Sequence, residues 1–106
     1  MKNLLATMKA ERRQRASLCL YVAGELPHSI SARANLKTLC AEFGSTPPAV
    51  EIVDVLRNPV RAMKDGVIAT PTLIRLSPSP RLTFLGTLAD LTLVREALGL
   101  QAIDPL

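Results

Sequence analysis

Aromatic residues are nearly missing. Tyr21, Phe43 and Phe84 are the whole set in 106 residues, and there is no tryptophan. Platforms for single-stranded nucleic acid need several exposed rings for base stacking, so this composition argues against that class. Histidine is reduced to His28 and cysteine to Cys19 and Cys40. These residues alone cannot supply the four ligands of a structural zinc site. No apolar run approaches the roughly 20 residues that span a bilayer. Leu4-Leu5-Ala6 is too short for the core of a signal peptide. Two cysteines so far apart, without an export signal, point to reduced thiols and a cytoplasmic protein. Both lie in apolar segments and read as small buried hydrophobes.

What is present is a globular composition, with 48% hydrophobic and 21% charged residues, in a chain long enough for one domain and its core. The formal charge of +4 is carried entirely by residues 1–15, where Lys2, Lys9, Arg12, Arg13 and Arg15 face only Glu11. The remainder is formally neutral. The chain therefore divides into a basic, flexible N-terminal arm over 1–15 and a single domain over 16–106. Such an arm either steers toward an acidic partner or is a solvated terminus.

The pattern along the domain predicts seven elements. Residues 17–22 are a continuous apolar run, suited to a strand covered on both faces. After a loop, Ser29 is placed as the cap of a helix over 30–43, in which Ala32, Leu36, Leu39, Cys40 and Phe43 share one stripe. Residues 49–56 form a second strand, rich in β-branched side chains. Asn58 and Pro59 open a short helix over 59–65, with Asn58 as cap. Strands over 72–76 and 81–85 are joined by Ser77-Pro78-Ser79-Pro80. Thr87 and Asp90 match a capping box for a final helix over 90–98. A strand, helix and strand with short links form a right-handed unit with parallel strands. The order βαβ-α-ββ-α is that of an α/β thioredoxin-like sheet with flanking helices. Thr70-Pro71 falls where that fold usually has a cis-proline.

The chemistry of that fold is absent from its usual place. A thiol enzyme of this type needs a low-pKa cysteine at the start of the first helix. Residues 23–29 contain none, Cys19 falls within the first strand and Cys40 at the far end of the helix. Ser29 is the one hydroxyl placed to serve a glutathione-dependent activity. His28 beside it is an adjacent pair and not a triad. The glycines are dispersed and build no phosphate loop, so no cofactor is expected. The reading is of a non-enzyme with no catalytic or metal-binding residues.

Leu20-Tyr21-Val22-Ala23-Gly24 with Pro27 and Ser29, Leu36-Lys37-Thr38-Leu39, Val53-Asp54-Val55-Leu56-Arg57-Asn58-Pro59 and Ala69-Thr70-Pro71-Thr72-Leu73 occur in one order. Together with Pro78, Pro80 and Gly86 they resemble the circadian clock KaiB family over residues 17–100. The resemblance implies a non-catalytic regulator that binds the ATPase ring KaiC and modulates its phosphorylation state. It implies contact residues Tyr21, Gly24, Arg57 and Asn58, and fold-switch residues Pro71, Gly86 and Asp90. It also implies an alternative ground-state fold of the C-terminal half, in a tetramer or dimer. Residues 82–98 suit such a switch, because their pattern reads as helix or as alternating strand. On the resemblance, Gly86→Ala with Asp90→Arg should favour the thioredoxin-like monomer. Competition with a SasA-like kinase is implied too, and the sensor domain of SasA is the neighbouring reading. Glu51 stands where the family's second strand usually has a lysine, on the strand that faces KaiA. KaiA is therefore not carried over as a partner.

Overall fold

The computed structural model describes residues 15–99. The basic arm lies outside the described residues except for Arg15, whose Nε donates to the carbonyl of Pro47 at 3.1 Å. The elements are β1 (Ser17–Val22), α1 (Pro27–Ala41), β2 (Ala49–Asp54), α2 (Pro59–Lys64), β3 (Thr72–Ser77), β4 (Leu82–Leu85) and α3 (Thr92–Ala97). They form one sheet in the order β2-β1-β3-β4. β1 pairs parallel with β2 and antiparallel with β3, and β4 closes the antiparallel side.

β1 is central because its sequence is apolar on both faces. Leu18, Leu20 and Val22 point into a core with Ala32, Leu36 and Leu39 of α1, Leu88, and Val94 and Leu98 at α3. Cys19 and Tyr21 point the other way, into a smaller core with Val53, Ala62 of α2 and Ile74. The sheet thus has α1 and α3 on one face and α2 on the other.

Local chemistry moves several element ends from their predicted places. α1 begins at Pro27, because proline takes a first-turn position where its missing N–H costs nothing. Ser29 is therefore inside the helix and does not cap it. Its buried Oγ instead accepts the N–H of Ala23 at 2.9 Å and folds the preceding loop back. β2 stops at Asp54 rather than 56, since the carbonyl of Asp54 takes the N–H groups of Arg57 and Asn58 and turns the chain. Asn58 does precede α2, but its side chain makes no capping bond and donates to the Asp54 carbonyl at 3.3 Å.

Thr87 does not cap the last helix. Its carbonyl accepts from Asn35 Nδ2 at 2.8 Å, and Leu88 then takes φ +66°. α3 begins later, and Asp90 Oδ1 accepts the N–H of Thr92 at 3.1 Å.

α3 is tied to α1 by Arg95, whose Nε and Nη2 meet the two oxygens of Glu42 at 2.9 and 2.7 Å. The hydrogen-bonded guanidinium holds the Glu42 carboxyl below its ordinary value of 4.5. A carboxylate lowered in the folded state adds stability above its unfolded pKa and loses it as pH falls through the folded one. The docking of α3 should thus be insensitive to pH above roughly 5 and weaken below roughly 4. Urea unfolding at the two extremes checks this, and Glu42→Gln should remove part of the difference. The pair is exposed, so the effect should be small and shrink in salt.

Candidate functional site

The loops after β1 and β2 meet at the same end of the sheet, because the two strands are parallel and in register from Ser17↔Ala49 to Val22↔Asp54. Asp54 joins them. Its Oδ1 accepts the N–H of Gly24 at 3.2 Å from the first loop and that of Leu56 at 3.0 Å from the second. Gly24 takes φ +52°, and a β-carbon there would meet Leu56 Cδ1 at 3.4 Å. Glycine thus permits the turn, while the approach of Leu56 is an ordinary van der Waals contact. Arg57 and Asn58 stand exposed on the second loop. Three of the four contact residues expected from sequence, Gly24, Arg57 and Asn58, are therefore gathered in one loop cluster.

Tyr21 is the exception. Its side chain is fully buried and its hydroxyl donates to Asp65 Oδ2 at the end of α2. Burial and the neighbouring carboxylate push the phenol well above its ordinary range. Tyr21 is therefore corrected from a contact residue to a support that holds α2 against β1. Asp54, which organises the cluster, was not singled out from the sequence. A polar residue ending a β-branched strand and followed by Asn-Pro is the signal that could have marked it.

Two of the three residues expected for fold switching, Pro71 and Gly86, meet in this state. Thr70–Pro71 is cis, and the carbonyl of Pro71 accepts the N–H of Gly86 at 3.0 Å where β3 and β4 pair. Asp90 follows at the start of α3, beside an open groove of about 560 Å³ between β4 and that helix, lined by Phe84, Leu85, Leu88 and Leu93. Gly86 has φ +102° with open space around it, so alanine would be strained by its backbone and not by a clash. Gly86→Ala should cost this fold about 1–2 kcal/mol by urea denaturation. Asp90→Arg would remove the acceptor for Thr92 and place a cation at the start of a helix. Both changes weaken the state described, so a shift toward it, as the resemblance implies, requires that they weaken the alternative packing more.

The position of a thioredoxin active site, where Thr70 faces the start of α1, is a depression of about 230 Å³ lined by Leu26, Pro27, His28, Ser29 and Thr70. Both thiols of the chain lie elsewhere. Cys19 is in the core, Cys40 is half-buried on α1, and burial raises both above the ordinary thiol value. The Ser29 hydroxyl is already occupied by the loop backbone. Among the described residues, no group of three His, Cys, Asp or Glu side chains could hold a metal ion, and no helix is long and apolar enough to cross a membrane.

This is a thioredoxin-like domain with a pinned loop cluster and no thiol at the usual active-site position. Chloroplastic thioredoxin z superposes with a TM-score of 0.68 at 17% identity, covering 93% of this chain and 88% of its own. The N-terminal domain of SasA from Synechococcus elongatus gives 0.65 at 22% identity, covering 86% and 90%. These likenesses define the fold. The chain belongs to the KaiB family: the KaiB domain matches residues 19–100. The circadian clock oscillator protein KaiB of Gloeothece citriformis is 41% identical over 73 residues, which is 69% of either chain. That of Thermostichus vulcanus is 36% identical over 96 residues, 84% of this chain and 89% of its own.

Proposed function

We propose that this chain is a non-catalytic clock-type regulator that binds a KaiC-type ATPase ring and modulates its phosphorylation state. The observation that carries the proposal is the loop cluster. One carboxylate, Asp54, fixes two loops so that Gly24, Arg57 and Asn58 are offered together from a rigid sheet end. Membership of the KaiB family supports a clock-protein partner. Contacts on loops held by a scaffold are the usual form of a recognition site. The SasA-type sensor reading shares the fold, and the KaiB match over residues 19–100 favours the regulator.

Fold switching belongs to the same proposal. Beyond its strand pairing and the burial of Leu88, Val94 and Leu98, the C-terminal half is fastened at named points, the Pro71–Gly86 hydrogen bond and the Arg95–Glu42 pair among them. Two packings a few kcal/mol apart are what a switch requires. The second packing is assigned to a homo-oligomer, which light scattering over a concentration series tests. KaiA is not proposed, because Glu51 stands where the resemblance puts a lysine; here it pairs with Arg61, Nη1–Oε2 at 2.6 Å. Pull-down against the cognate KaiC-type hexamer, with and without ATP, tests the proposal. Retention in at least one nucleotide state is expected, and no retention in any state would overturn it.

A further inference from the structure

Helix α2 is turned inside out relative to an ordinary surface helix. It buries the small Ala62, while Val60 and Met63 remain 63% and 76% exposed. These two lie at i and i+3 and so share one side of the helix. Leu56 and Ile68, on the flanking loops, are 70% and 88% exposed. Single exposed apolar residues need no explanation. Four large ones on one six-residue helix and its flanks, where a helix normally turns such residues inward, do.

The charges around them divide unequally. Arg61 is committed to Glu51, and Asp65 to Tyr21 and Arg81. Arg57 and Lys64 are exposed and have no ion-pair partner among the described residues. On α2 and the loop before it the charges without an ion-pair partner are therefore positive, while Glu25, on the neighbouring first loop, is the exposed acidic one. Leu56 abuts Gly24, so the apolar side chains continue directly from the loop cluster.

We propose that the outer side of α2 is a docking surface for an acidic segment of the KaiC-type partner that carries an apolar ridge. Leu56, Val60 and Met63 receive the ridge, while Arg57 and Lys64 meet the acidic groups. This rests on the proposed function and names the chemistry of its partner surface. An anionic membrane is the weaker occupant, because stable attachment takes a larger basic cluster or a longer amphipathic helix than Arg57, Lys64 and one six-residue helix provide.

The test measures affinity for the cognate KaiC-type hexamer in ATP, at low and moderate salt. Val60→Glu with Met63→Glu should weaken binding at least tenfold. Arg57→Glu with Lys64→Glu should do the same and flatten the salt dependence. Leu93→Glu, an equally exposed change on α3 across the sheet, should bind as wild type. All five side chains are exposed, and circular dichroism with the thermal midpoint confirms that each variant folds. If the wild type binds and both double variants bind equally well, the α2 surface is not used, and hexamer binding stands with Arg57 removed from the contact cluster. If the wild type does not bind the hexamer at all, both are overturned. Binding of the chain to phosphatidylglycerol vesicles that the same double variants abolish, with hexamer binding unchanged, would assign the surface to a membrane and overturn the proposal.

Discussion

Arg75→Met is expected to loosen the C-terminal half of the domain while leaving β1 and α1 intact. Arg75 lies on β3 at 7% exposure. Its Nη2 donates to the carbonyl of Pro80 at 2.7 Å, and its Nη1 donates to that of Ala97, the last residue of α3. One side chain thus holds the link between β3 and β4 and the end of the final helix. No carboxylate pairs with it among the described residues, and its buried Nε has no partner there. Burying an unpaired cation is costly, so the two carbonyl bonds and the negative end of the helix must offset much of that cost. Methionine fills the volume of the stem but leaves both carbonyls without a donor. Hydrogen bonds to a charged group contribute about 1.5–3 kcal/mol each, and relief of the buried charge returns part. The net loss should be about 2–3 kcal/mol by urea denaturation. Hydrogen exchange should quicken first in residues 92–98, ahead of the amides of β1. Equal stability with unchanged protection of α3 would show that Arg75 is not the tie.

Asp54→Ala should damage the site more than any single contact residue. It removes the shared acceptor of the Gly24 and Leu56 N–H groups, and both loops lose their common reference. The stability cost is expected at about 2–3 kcal/mol, since two bonds to a partly buried carboxylate are lost together. Affinity for the KaiC-type ring should fall at least tenfold, because the contact loops must then be ordered on binding. Asp54→Asn keeps an acceptor oxygen and should recover most of the stability. An alanine variant as stable and as tightly bound as wild type would contradict the role given to this residue.

Most of the fold was legible because β1 is apolar on both faces and every link is short. Those features place it centrally and make β1 and β2 parallel before any coordinate is known. The caps were legible only in part. Asn58 holds the N-cap position of α2 but gives its side chain to the Asp54 carbonyl, Ser29 lies inside α1 with its hydroxyl on the Ala23 N–H, and Thr87 lies ahead of α3 with its carbonyl on Asn35. Capping patterns describe local preference, and a buried backbone group elsewhere in the fold can outbid them.

The site was half legible. Gly24, Arg57 and Asn58 fall within the motifs that carry the family resemblance, and parallel pairing brings them together. Tyr21 lies in the same motif, yet strand alternation sends its ring into the α2 core. Asp54 lies in a quoted motif too, but its role shows only in its place near a strand end, since its partners are backbone groups. The apolar outer side of α2 was also hidden, because a short apolar helix reads as core until its burial is known.

The domain is proposed to act by protein contact through the cluster Asp54 holds. Sedimentation velocity of the fluorescently labelled chain with the cognate KaiC-type hexamer in ATP tests it most directly. The wild type should move with the hexamer, and Asp54→Ala should shift to the free boundary at the same concentration. A wild type that sediments alone at every hexamer concentration, or an Asp54→Ala chain that stays with the hexamer as wild type does, would contradict it.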